Sequence, residues 1–272
     1  MRRVTVTKQK IYISIISLII LSTFIVILVY RFSISPTEYR TSQSFASAPV
    51  TFDSVASAND GGGCTTTQLT WTHTTGSIAN GILLVYAGLS KGRSVTSISF
   101  NGTPITKLGA VDALGTSGHL EVWYTFNPVA GAHPVTISAS PGGCISGGSM
   151  SYANVDQRAP ALRTNSAPQT TRSIIAVHNT TASQLLVDNV LDLEQGVRSV
   201  GSGQTQRYID PATYLGGSDK VGGSSNPYLN WNLRYTSDWA ESVVVLNPVG
   251  YTPPPPSPTP TPQSNVLPGE TF

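Results

Sequence analysis

Between residues 49 and 248 the apolar residues come in short runs, each cut off by glycine, asparagine, aspartate or proline. No stretch keeps a helical period long enough to carry a domain, so the pattern demands strands joined by turns. About a dozen such runs predict an all-β domain, a two-sheet antiparallel β-sandwich of jelly-roll type. Charged residues make up only 11% of the chain, while aromatics reach 8%. That balance is too apolar for a disordered chain and suits a β-protein with polar, weakly charged faces.

Several runs can be read in detail. In "SISFNGTPITKL" (97–108) the pair Asn101-Gly102 is a two-residue hairpin turn, because a type I′ turn needs positive φ at both positions. That register places Ile98, Phe100 and Ile105 on one face and sets Pro104 opposite Ser99. Proline has no N–H to give a ladder, so residues 103–108 read as an edge or bulged strand. The runs "ILLVYAG" (82–88) and "QLLVDNVL" (184–191) do not alternate and predict strands covered on both faces. "HLEVWYTF" (119–126) does alternate: Leu120, Val122, Tyr124 and Phe126 take one face, His119, Glu121, Trp123 and Thr125 the other. The same count makes Trp71 and Trp231 core residues and leaves Trp123 as the odd one out.

Ahead of this domain lies "IYISIISLIILSTFIVILVY" (11–30), a run without a charge. As a helix it is about 30 Å long, the thickness of a bilayer core. Arg2, Arg3, Lys8 and Lys10 precede it, against Arg31 and Arg40 behind it, which keeps residues 1–10 in the cytoplasm and sends the rest outside. The expected order is therefore a basic cytoplasmic segment (1–10), a single-pass transmembrane helix (11–30), an extracellular stalk (31–48), the β-sandwich (49–248) and a proline-rich tail (249–272). The competing reading is a secreted protein whose signal peptide is cleaved near Ala46–Ala48, though the apolar run is long for a signal and ends well before that point.

The net charge of +2 hides an asymmetry. Residues 1–40 hold six Lys/Arg and one acid, so the remainder carries ten Lys/Arg against thirteen Asp/Glu. Nothing in the outer part forms a basic stripe to neutralise phosphates, which argues against nucleic acid as a partner. Cys64 and Cys144 sit in the glycine-rich stretches "GGGCTTT" and "GGCISGG". An even count in an oxidising compartment predicts a disulfide, with two buried thiols as the alternative. The tail "TPPPPSPTPTPQS" (252–264) reads as an extended polyproline spacer.

Signals for chemistry are weak. "GLSKG" (88–92) has the spacing of a nucleophile elbow around Ser90, but the elbow must open into a helix and a strand pattern follows. His73, His119, His133 and His178 are scattered, with no metal-ligand spacing, so neither a metal nor a cofactor is expected. Asp60 and Asp219 lie in glycine-rich stretches and read either as calcium ligands or, more simply, as turn formers. Among Glu121, Asp188, Asp192, Glu194 and Glu241, no spacing predicts that any two converge as a catalytic pair. The sequons at Asn101 and Asn179 would mark surface loops in a glycosylating host. The remaining candidate is a ligand-binding face made by Trp123 with Glu121 and His119, where an exposed indole stacks on a sugar ring. Against it stands burial of that face under a second layer.

"SYANVDQRAP" (151–160) resembles the Tyr-x-Gly-Val-Asp-Gln-x-x-Pro stretch of a poorly characterised bacterial and archaeal extracellular β-sandwich module. "VTSISFNGTPITKLGAV", "LEVWYTFNPVAGAHPVTISAS" and "DWAESVVVLNPV" are also similar to it. The resemblance implies a surface module found among adhesive and glycan-associated domains, and it brings no catalytic residues. One departure is Asn154, which stands where the module has glycine. The expected function is a membrane-anchored, non-catalytic adhesion or ligand-recognition module for a cell-surface glycan or protein. The alternatives are a carbohydrate-binding module centred on Trp123 and an enzyme acting on glycans.

Overall fold

A computed structural model describes residues 48–252 except 116, 117, 211, 213 and 224–227. The expected basic segment, transmembrane helix and stalk as far as residue 47, and the tail beyond 252, lie outside the described residues. Among the described residues no helix is long and apolar enough to cross a membrane. The chain is all-β, and its strands form three antiparallel sheets.

The first sheet runs in the order β1 (Thr51–Asn59), β9 (Ile145–Ala153), β3 (Ile82–Ser90), β7 (Gly118–Phe126) and β6 (Thr106–Asp112). The second has β2 (Thr66–Thr75), β8 (Gly131–Gly143), β4 (Ser94–Phe100) and the two-residue β5 (Thr103–Pro104). In the third, β10 (Ala161–Ala176), β15 (Tyr228–Leu246), β11 (Leu185–Leu191), β14 (Leu215–Val221) and β13 (Thr205–Ile209) follow one another, with β12 (Val197–Val200) paired to β15.

Three sheets are found where the run pattern suggested two, and β3 shows why. Its side chains are buried on both faces. Leu83, Val85, Ala87 and Leu89 pack with Leu69, Trp71, Ile98, Val135 and Ile137 of the second sheet. Ile82, Leu84 and Tyr86 pack with Val187, Leu191, Leu215 and Val244 of the third. A continuous apolar run needs cover on both sides, and here each side is covered by a different sheet.

The third sheet also covers itself. Pairing between β10 and β15 is irregular between Ala167 and Arg172, where the register shifts twice. Beyond that break Leu229, Trp231 and Leu233 pack against Leu186, Val190 and Val243 on the face of β11 and β15.

The hairpin has the expected turn, with φ of 50° at Asn101 and 74° at Gly102. Ser99 pairs with Pro104, and Ile98, Phe100 and Ile105 are buried. Trp71 and Trp231 are core residues as their periodicity demanded.

The stretch 151–160 is a corner. Asn154 ends β9 with a φ of 61°, a left-handed position that asparagine tolerates better than most residues. Its backbone N–H bonds the carbonyl of Ala79, and its side chain reaches Pro49 O at 3.3 Å. Val155 forms a bridge with Pro248, while the Gln157 amide donates to Val155 O at 2.9 Å. Asp156 pairs with Arg158 at 2.6 Å, and Arg158 also reaches Tyr251 O. The corner thus fastens the start and end of the domain to the junction between β9 and β10.

Candidate functional site

The face of β7 bearing His119, Glu121 and Trp123 is the most highly charged constellation that the alternation rule singled out. Glu121 is fully buried and accepts four hydrogen bonds. Oε1 takes the Val95 N–H at 2.9 Å and His119 Nε2 at 3.1 Å. Oε2 takes the Trp123 ring N–H at 3.0 Å and the Lys107 ammonium at 2.6 Å. Lys107 stands opposite Trp123 across β6 and β7, so the sheet register brings this pair together.

Burial alone would push the Glu121 carboxyl upward, but the bonds from His119, Lys107 and the Val95 N–H outweigh it and hold the group down at about 2. His119 also lies 2.6 Å from Asp112 through Nδ1. Both ring nitrogens therefore meet carboxylate oxygens, which only accept, so the ring must donate twice and carry a charge. Its pKa is raised accordingly, by Glu121 first, with burial opposing and Asp112 adding to the rise.

Trp123 itself is half-buried, with its ring against the apolar cluster between the first two sheets. Its ring N–H is bonded to the buried Glu121 carboxylate, which also holds Lys107 and His119, so the indole is tied down beside two cationic groups. Such a surface takes up a ligand with little loss of side-chain freedom.

The other sequence candidates have structural places. Ser90 closes β3 and accepts the Cys144 N–H at 3.2 Å, and a turn and β4 follow it rather than a helix. Cys64 and Cys144 are joined as a disulfide. Asp60 builds the turn before Cys64, accepting the N–H groups of Gly62 and Cys64. Asp219 lies within β14 rather than in a loop, and its carboxylate holds Arg207 at 2.6 and 3.0 Å. Arg207 in turn stacks on the Phe52 ring, 3.8 Å from its centroid. These two residues, with Thr205, Val50 and Lys220, line a cleft of about 500 Å³ between β1 and β13–β14.

Two polar clusters escaped the sequence reading. His73 is fully buried, with Nδ1 2.9 Å from Ser149 Oγ and Nε2 3.0 Å from both Ser54 and Ser151. Burial lowers its pKa to about 4, although Asp53 pulls the other way. Asp188 and Glu241 lie together on β11 and β15 and are both fully buried. Strand pairing alone brings them together, and no spacing rule anticipates a partner so far along the chain. Among the described residues no group of three or more His, Cys, Asp or Glu is placed to hold a metal ion.

No protein-family model matches this chain, and no curated protein or solved structure matches it.

Proposed function

We propose that the chain is a membrane-anchored, outward-facing recognition module that binds a cell-surface glycan or protein without catalysis, through the β6–β7 face. The observation that carries this reading is the half-buried Trp123, bonded to the buried Glu121 and flanked by Lys107 and His119. An indole edge set among fixed polar groups suits a sugar ring or an aromatic-rich protein loop. The disulfide supports an oxidising location, consistent with a membrane run at 11–30 that leaves the N-terminus in the cytoplasm. The sandwich reading, with its jelly-roll type, belongs to the same proposal and is supported by the apolar clusters shared between facing sheets.

The test is a glycan array probed with the detergent-solubilised full chain, with Trp123→Ala alongside. Binding that the substitution abolishes supports the site. Binding that persists unchanged in the variant removes Trp123 from it, and failure to bind any glycan leaves the protein-ligand arm to be tested by pull-down from cell surfaces.

A further inference from the structure

A serine and a carboxamide are held against each other by one buried carboxylate in the third sheet. Ser218 stands directly opposite Asp188 across β11 and β14, and its hydroxyl donates to Asp188 Oδ1. Gln204, just before β13, sends its amide nitrogen to Asp188 Oδ2 at 3.0 Å and to Ser218 Oγ at 2.9 Å. Its carbonyl oxygen accepts the backbone N–H of Asn230 at 2.8 Å. Trp231 closes the site, its ring N–H 3.1 Å from Asp188 Oδ2. Asp188, Ser218, Trp231 and the neighbouring Glu241 are all fully buried.

We propose that Ser218 and Gln204 condense into an intramolecular ester with release of ammonia, bracing β14 covalently to the turn that leads into β13. Ser218 Oγ attacks Cδ of Gln204 while its proton passes to Asp188. Charge develops on the Gln204 oxygen, where the Asn230 N–H already points. The Cδ–Nε2 bond then breaks, Asp188 returns the proton to the departing nitrogen, and neutral ammonia leaves. The serine gives up one hydrogen and the glutamine its NH2 group, so atoms balance and no redox partner is needed.

Each part of the site has a role in this step. The serine hydroxyl lies at the edge of the carboxamide and needs only to swing to its face, so the reaction is intramolecular between groups already in contact. Asp188 is the general base and then the general acid. Burial pushes the pKa of both Asp188 and Glu241 upward, which keeps a proton on the pair and favours an Asp188 that takes and returns one. Trp231, packed with Val190 and Val197, covers the Asp188 side of the site, while Gln204 is half-buried.

Mass spectrometry of the full chain, reduced and digested with trypsin, tests the proposal. Cleavage after Arg198, Arg207 and Lys220 separates residues 199–207 from 208–220 unless an ester joins them. The expected result is one joined species, lighter than the two peptides together by one ammonia and split by hydroxylamine. Ser218→Ala and Gln204→Ala should each yield only the two free peptides. Asp188→Asn should slow joining by about a hundredfold or more, as expected for loss of a positioned acid–base group. Wild-type protein that gives only free peptides after prolonged incubation near neutral pH overturns the proposal. Ammonia loss confined to the peptide holding Asn101-Gly102, where imide formation is the cause, overturns it equally. Joining at an undiminished rate in Asp188→Asn removes Asp188 from the mechanism.

Discussion

The ring N–H of Trp123 and the buried carboxylate of Glu121 lie 3.0 Å apart on the same face of β7. The same carboxylate holds Lys107, His119 and the Val95 N–H, so its removal strands four donors at once. Glu121→Ala is expected to cost about 3 kcal/mol, the scale for breaking a buried pair. Asp112, whose side chain is 67% exposed, should cost no more than about 0.5 kcal/mol when changed to alanine. Urea denaturation of both variants decides the matter: equal midpoints would mean that Glu121 is not the organising group.

His73 predicts an acid-sensitive fold. Its pKa falls from 6.5 to about 4 on burial, so between those values the unfolded chain binds a proton that the native chain refuses. Stability contributed by the neutral ring is complete above the unfolded value and declines as pH falls, by about 1.4 kcal/mol per unit across that window. NMR titration of the His73 ring should show a midpoint near 4. A midpoint at the ordinary histidine value would refute the argument.

Gly148 on β9 faces Tyr208 so closely that a Cβ would overlap the phenol oxygen. Tyr208 cannot retreat freely, because its hydroxyl also accepts the Asn189 amide at 2.6 Å. Gly148→Ala should therefore destabilise by about 1–3 kcal/mol, as overpacking does. Gly63→Ala meets nothing nearer than Asp60 O at 3.7 Å and should be close to neutral. Thermal unfolding of the two variants should separate them clearly.

Asn154 tests the corner. With φ at 61°, Asn154→Gly should be tolerated within a few tenths of a kcal/mol. Asn154→Val places a β-branched residue in the left-handed region and should cost about 1–2 kcal/mol. Equal stability of the two variants would show that the conformation is not needed in solution.

Local rules made much of the architecture legible. The Asn101-Gly102 turn, the two-sided burial of β3 and β11, the core positions of Trp71 and Trp231, and the cysteine pairing all follow from local chemistry or from counting along a strand. Non-local pairing was not legible. Nothing near Asp188 announces Glu241 or Gln204, and nothing in "GGSDKVGG" places Asp219 inside β14 rather than in a turn. Periodicity assigned His119, Glu121 and Trp123 to one face, but it gave no hint that Lys107 from the neighbouring strand would complete the set. The third sheet was hidden for a related reason: a run buried on both faces does not say whether one sheet or two cover it.

The corner at Asn154 has a consequence for how this domain can be carried. Its side chain bonds Pro49 at the point of entry, and its carbonyl accepts the Val249 N–H near the point of exit. Entry and exit are thus two hydrogen bonds apart, so the domain hangs from the chain like a bead on a closed loop. A fold with that layout can be spliced into a surface turn of an unrelated host without prising the host's own ends apart. Pulled from both sides, such a bead takes the load first on the hydrogen bonds at the corner that close its loop.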